Sequence, residues 1–166
     1  GDDLQKIGIR FAGINIPQGA TILSASIRFY LDETKESDKD LSIKIIGHKV
    51  ANSDTFSNDG SDISNRIADD PTDAFVNWFP EPVLSIGDTF NTINLKSIAQ
   101  EIVNQEEWVA NHAMTFLFQK ISGIGIRTAE SFSNNDKKAR LDISYTTAEP
   151  NLEQQKVGLR FQAVMI

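Results

Sequence analysis

Apolar and polar residues alternate along most of the chain, which is the pattern of strands with one buried side and one solvent-facing side. Ile7, Ile9 and Phe11 alternate with small or polar neighbours, and the same alternation runs from Leu23 to Leu31. Further strands are predicted over Leu41 to Ile45, Phe75 to Trp78, Phe90 to Ile93, Met114 to Phe118, Ile124 to Phe132 and Leu141 to Tyr145. The pattern therefore predicts an all-β protein.

One segment has helical spacing instead. Its apolar residues form a single stripe: Leu95, Ile98, Ala99, Ile102 and Val103. Asn94 is placed to cap the start of this helix. One helix among many strands favours a jelly-roll-like, two-sheet antiparallel β-sandwich with one short helix over a βαβ fold. The polar region 51–73 is interpreted as a long loop with at most one short strand.

The two ends of the chain nearly repeat each other. Lys6 to Phe11 (KIGIRF) returns as Lys156 to Phe161 (KVGLRF), at an offset of 150 positions. Self-similarity at a fixed period is typical of repeat arrays. We predict a β-sandwich domain over residues 1–149, a short linker over 150–155 and a repeated strand over 156–166. The residues expected to act in assembly are Lys156, Val157, Leu159, Phe161, Val164 and Ile166.

The repeated strand allows two arrangements. In a longer polypeptide it would be the first strand of a following repeat. In a separate subunit its apolar face of Val157, Leu159 and Phe161 would take the place of the strand Lys6 to Phe11 in a neighbour. Strand addition or exchange of this kind polymerises subunits head to tail.

Composition narrows the classes of partner. The chain has 166 residues, no cysteine and a net charge of -7, so a single domain without disulfides or thiolate metal sites is expected. The negative charge argues against nucleic acid and anionic membranes as partners, because both are recognised by clustered Lys and Arg. The sequence contains no apolar run of bilayer-spanning length, so no membrane insertion is expected.

An enzyme is not expected. His48 and His112 are the only histidines, and no G-x-S-x-G motif is present. Gly123 and Gly125 resemble a phosphate loop superficially, but Thr128 stands where the dinucleotide motif has its last glycine. We interpret the two glycines as part of a turn or bulge.

No cofactor is required by the sequence, but two acidic loops suit calcium, which takes oxygen ligands. The first candidate set is Asp32, Glu33, Asp38 and Asp40. The second set is Asp54, Asn58, Asp59 and Asp62, without the full spacing of an EF-hand. The alternative interpretation of both sets is a solvated acidic loop.

A sugar site would need an aromatic face for stacking and polar groups that orient hydroxyls. The candidate ligand-binding residues are Tyr30, Arg28, Lys44 and Trp78, and the two basic residues would suit an acidic polysaccharide. The alternative for Trp78 is packing at the rim of the core, and Trp108 is expected to pack under the helix.

Five segments of the chain match one family pattern in order: residues 10–30 (RFAGINIPQGATILSASIRFY), Phe75–Trp78, the helix around 98–103, Arg127–Phe132 and Arg140–Tyr145. Together they resemble the DNRLRE-type β-sandwich repeats of large secreted and surface-anchored bacterial proteins. Some members of that family resemble carbohydrate-binding modules of polysaccharide-degrading enzymes. The resemblance implies a jelly-roll-like fold and an extracellular or cell-surface location. Within the resembling segment, Arg127 and Glu130 are interpreted as a polar pair that fixes the last strands.

These observations favour a non-catalytic structural or adhesive repeat module of a bacterial surface protein or fibre, whose partners are neighbouring copies of itself. The alternative is a carbohydrate-binding module, and a polysaccharide-acting enzyme comes third.

Overall fold

The computed structural model describes residues 4–147 and 155–165, and in the second range the side chains of Arg160 and Phe161. The described strands are β1 (Lys6–Ile14), β2 (Thr21–Glu33), β3 (Leu41–His48), β4 (Pro71–Trp78), β5 (Thr89–Asn91), β6 (His112–Gly123), β7 (Thr128–Ala129), β8 (Arg140–Thr147) and β9 (Gln155–Met165). The helices are α1 (Asp62–Asp69) and α2 (Lys96–Val103).

The strands form two antiparallel sheets, of four and five strands, which pack as a sandwich. The first sheet has the order β4-β3-β6-β1, and the second has the order β9-β8-β2-β5 with β7 beside β2. Strands β1 and β9 also pair over three residues, so they join the two sheets along one side. The predicted β-sandwich is confirmed, with two short helices where one was expected.

The core lies between the sheets and follows the predicted alternation. In β2, Ile27 and Leu31 are fully buried and Phe29 is nearly so, because they face the other sheet. The alternation of buried and exposed residues shifts by one position near the start of this strand. Ile22 pairs with Tyr145 and Ser24 with Ser144, so Leu23 is an extra residue in the pairing. The bulge at this point buries Ile22 in place of Leu23, contrary to the simple alternation.

Helix α2 confirms the predicted apolar stripe, since all its apolar residues and the preceding Leu95 are fully buried. Trp108 packs beside it with no exposed surface, and its indole N–H donates to the Ile16 carbonyl at 2.9 Å. Leu95 occupies the cap position itself. The Asn94 side-chain oxygen accepts from the backbone N–H groups of Lys96 and Ala25, and so ties the start of the helix to β2.

The interpretation of 51–73 as a long loop with at most one short strand was wrong over residues 62–69, because α1 lies there. Its buried residue is Arg66, whose Nε donates to Asp62 one turn earlier at 2.8 Å. The guanidinium also donates to the backbone carbonyls of Asp54 and Thr55. A buried charged side chain, rather than an apolar stripe, therefore anchors this helix.

The predicted strand Ile124 to Phe132 is reduced to the two residues of β7. Arg127 does not pair with Glu130, so this prediction was also wrong. The guanidinium instead donates to the backbone carbonyls of Lys39, Pro80 and Glu81. It thereby joins two loops that a longer strand would have kept apart.

Gly123 is the last residue of β6, opposite Leu41, and the chain bends directly after it, before Gly125. Gly123 has φ +94°, and a Cβ there would lie 2.2 Å from the Asp40 carbonyl oxygen. A Cβ on Gly125 would lie 2.3 Å from the Lys39 carbonyl oxygen. Only glycine allows the two backbones to approach this closely, which favours the structural interpretation of the two glycines over a phosphate loop.

We expect Gly123→Ala to lower the free energy of unfolding by about 2 kcal/mol or more, because it combines a left-handed backbone with a backbone clash. Denaturant unfolding followed by circular dichroism measures the loss. Gly60→Ala is the matched control, since no heavy atom lies within 4 Å of its added Cβ. Equal stability of the two variants would contradict the account of this bend.

Candidate functional site

The two copies of the repeated strand lie in similar places. Strand β1 pairs antiparallel with β6. Its positions 7, 9 and 11 lie opposite three buried apolar residues: Phe118, Phe116 and Met114. We call this stretch of β6 the β6 seat.

Strand β9 pairs antiparallel with β8. Its equivalent positions 157, 159 and 161 also lie opposite three buried apolar residues: Tyr145, Ile143 and Leu141. We call this stretch of β8 the β8 seat. Phe161 packs against the core from this position, as Phe11 does from β1. Each seat thus presents apolar residues at the same three positions of the same strand motif.

The arginines of the two copies have different partners. Arg10 donates from Nε to the Ser53 carbonyl at 2.7 Å, on the side of β1 away from the core. Arg160 places its Nε 3.0 Å from Oδ1 of Asp142, and Arg28 lies 3.6 Å from the other oxygen of that carboxylate. Asp142 therefore holds two arginines against the outer surface of the second sheet.

Above the β6 seat, the loop 51–56 is held by a buried polar network around Ser53, which is 1% exposed. Its hydroxyl contacts Nη1 of Arg66 at 3.0 Å, Oγ1 of Thr115 at 2.7 Å and Nδ1 of His48 at 2.9 Å. The charge of Arg66 is thus satisfied by neutral oxygens as well as by Asp62. The network fixes this loop over β1. Sequence analysis predicted a loop in this region but did not predict that it contacts β1.

Phe56 is a second residue of this loop that contacts β1, besides Ser53. A Cβ on Gly8 would lie 2.6 Å from the Phe56 ring, so the ring lies directly on the glycine. The Arg66 guanidinium lies 4.7 Å from the centre of the same ring. A larger side chain at this position of the β6 seat would have to displace the Phe56 ring.

The close pair of His48 and Ser53 is not an open nucleophilic site. The Ser53 hydroxyl is buried and already contacts Arg66 and Thr115. Burial lowers the pKa of His48, and the neighbouring positive charge of Arg66 lowers it further. Burial and the same guanidinium also lower the pKa of Arg10. The arrangement stabilises a fold rather than activates a hydroxyl.

The predicted sugar-binding residues do not converge. Arg28 and Tyr30 lie on β2 in the second sheet, with side chains on the face away from the core. Lys44 lies on β3 in the first sheet, with its Nζ 4.6 Å from the centre of the Phe75 ring. Trp78 is 4% exposed and stacks near Phe29 and Phe90 in the core. The four predicted residues therefore share no common surface, and polysaccharide binding stays a prediction.

An apolar cleft of about 260 Å³ opens beside the first half of β1. Its walls include Ile7, Ile9, Trp78 and Phe118, and Lys120 lies among the lining residues. Trp78 is thus the one predicted sugar-binding residue that borders this cleft. Its buried ring offers little of the exposed face on which a sugar would stack.

The first set of predicted calcium ligands lies at the end of β2 and in the loop that follows it, and the second set lies in the loop before α1 and at its first residue. Asp32 and Glu33 belong to the strand, and Asp38 is paired with Lys39 at 2.8 Å. The hydrogen bond from Lys39 lowers the pKa of Asp38. Within residues 4–147 and 155–165, no group of three or more acidic or histidine side chains is arranged to hold a metal ion.

The predicted assembly strand corresponds to β9, which begins at Gln155. Arg160 and Phe161 have the contacts given above. For Lys156, Val157, Leu159 and Val164 the structure gives the backbone and its pairing. Ile166 and the predicted linker up to residue 154 lie outside the described residues.

Sequence analysis missed Asp142 and the role of β8. Asp142 alternates with the buried residues Leu141 and Ile143, which was the available signal that it faces outward. Nothing local in the sequence paired it with Arg160, because that contact depends on where β9 lies.

Comparison of the chain with protein-family models, curated proteins and solved structures finds no match. Among the described residues, no helix combines the length and apolar character needed to cross a membrane.

We expect Asp142→Asn to loosen β9. The carboxylate and Arg160 are partly exposed, at 28% and 65% of their side chains, so global stability should fall by no more than about 1 kcal/mol. Amide hydrogen exchange within β9 should nevertheless become several-fold faster. Asp73→Asn is the control, because Asp73 lies on β4 and pairs with Lys49. Strand β4 does not neighbour β9 in the strand order. Unchanged exchange in β9 would contradict the role given to Asp142.

We expect His48 to make stability depend on pH. Its folded-state pKa lies below the ordinary value of 6.5, so the unfolded chain takes up the proton first as pH falls. The contribution is complete above about pH 6.5 and is lost as pH drops towards the folded pKa. Denaturant unfolding between pH 7 and 5 should show a smaller decrease for His48→Gln than for the unmodified chain. Parallel curves would show that this histidine is not the titrating group.

Proposed function

We propose that this protein is a non-catalytic structural module that joins to neighbouring copies of itself through the repeated strand. The single observation that carries the proposal is the equivalence of the β6 and β8 seats. Both pair antiparallel with the same strand motif, and both offer buried apolar residues at the same three positions. A strand that fits both seats fits a neighbouring copy as well as its own chain.

Antiparallel strand pairing suits such a joint, because backbone hydrogen bonds supply affinity while the alternate side chains supply register. A contact between different surfaces of two copies need not close, so its natural product is an open array. The resemblance to secreted and surface-anchored bacterial repeats supports an extracellular location for this array, which is part of the proposal.

The test is the solution mass of the full chain over a range of concentrations, by size-exclusion chromatography with light scattering. We expect oligomers that grow with concentration. Phe161→Asp should reduce them to monomers, because it places a charge where β9 packs against the core. Phe75→Asp is the control, since Phe75 is 51% exposed on β4. A monomer at every concentration would contradict assembly between separate chains.

A further inference from the structure

Strand β9 carries the features of the strand that fills the β6 seat, although it occupies the β8 seat. In the β6 seat the Phe56 ring lies directly on a glycine, and β9 has Gly158 at the equivalent position. That seat also holds an arginine at the Ser53 carbonyl and an aromatic residue opposite Met114, and β9 has Arg160 and Phe161. The contact between a glycine and the Phe56 ring is a feature of the β6 seat. In the β8 seat Gly158 lies opposite Ser144. The sequence of β9 therefore matches a place that it does not occupy in its own chain.

The register between β1 and β9 shows which edge of each strand is in use. Ile9 pairs with Met165 and Phe11 with Ala163. One more step places Ala12 opposite Gln162, and these are equivalent positions of the repeat. Antiparallel neighbours that cross at equivalent positions are related by a local twofold axis. This axis exchanges β1 with β9 and β6 with β8 in the strand order. Strand β9 thus offers to β8 the same edge that β1 offers to β6.

We propose that β9 has one assembly edge, which is occupied by β8 in the closed chain and by β6 of a second copy after release. The two pairings exclude each other, because one edge holds one strand. The closed chain consequently caps its own assembly. This inference rests on the proposed function and adds that a chain must open before it joins another.

The exchange conserves strand pairing. When β9 of one copy takes the β6 seat of another, the displaced β1 has the motif that fits the vacated β8 seat. Both seats are then filled again. The free-energy difference between closed and joined states is therefore set mainly by concentration and by the contacts of Phe56, Ser53 and Asp142 with the two strands.

The first experiment locks β9 to its own chain. Arg140 and Gln162 are directly opposed partners outside the contacts given above for the two seats, and directly opposed strand positions are close enough for a disulfide. The chain has no cysteine, so Arg140→Cys with Gln162→Cys creates a single thiol pair and leaves Arg160 and Gly158 in place. The oxidised chain should show at least tenfold less oligomer than the same chain reduced. Ser24→Cys with Ser144→Cys is the control, because it ties β2 to β8 and leaves β9 free.

Equal assembly of the oxidised and reduced β8–β9 variants would overturn the inference and leave the proposed function standing. If the unmodified chain and the reduced variants all stay monomeric, the proposed function fails and the inference fails with it.

The second experiment uses the glycine. Gly158→Val should reduce the oligomer at least tenfold, because the added side chain would meet the Phe56 ring in the β6 seat of a second copy. Phe56→Ala in the same chain should restore assembly by removing that ring. Assembly of Gly158→Val at the level of the unmodified chain would show that the β6 seat is not used. Loss of assembly without rescue by Phe56→Ala would also overturn the inference.

Discussion

The pairing of β9 between β1 and β8 is the contact on which the arrangement of this sandwich depends. It joins the two sheets along one side and covers the edge of β8, whose unpaired backbone groups would otherwise face solvent. Phe161 extends the core from this strand, and Asp142 draws Arg160 to the outer surface. The second sheet therefore ends at a strand whose sequence is a copy of the strand that ends the first.

Much of the fold follows from the period of the apolar residues. The alternation in β2 and β8 and the helical stripe of α2 correctly predict most of the core residues that these elements contribute, because burial on one face leaves a local signature. Where the structure differs from the sequence prediction, polar contacts between residues far apart in sequence determine the local conformation. Arg66 anchors α1 through the carbonyls of 54 and 55, and Arg127 links the 39–40 and 80–81 loops. Neither set of partners has a spacing that a sequence pattern could reveal.

The candidate site was also predictable only in part. The repeat made β9 predictable as a strand, and the structure confirms a strand there. Which seat it takes is a property of the folded chain, since the apolar positions of β6 and β8 are alike. The features that distinguish the seats, Phe56 over Gly8 and Asp142 beside Arg160, come from a loop and a strand far apart in sequence.

The likeness of the two seats also bears on how strongly copies would hold together. A strand that leaves one apolar seat for another of equal depth gains little hydrophobic free energy, because the buried area is nearly the same before and after. The balance then depends on the effective concentration of β9 near its own β8. Tethering in one chain raises that concentration, typically to about the millimolar range for short flexible connections. Assembly is consequently favoured where copies are held close to each other, as they are in a tandem polypeptide or on a crowded surface, and closure is favoured in dilute solution.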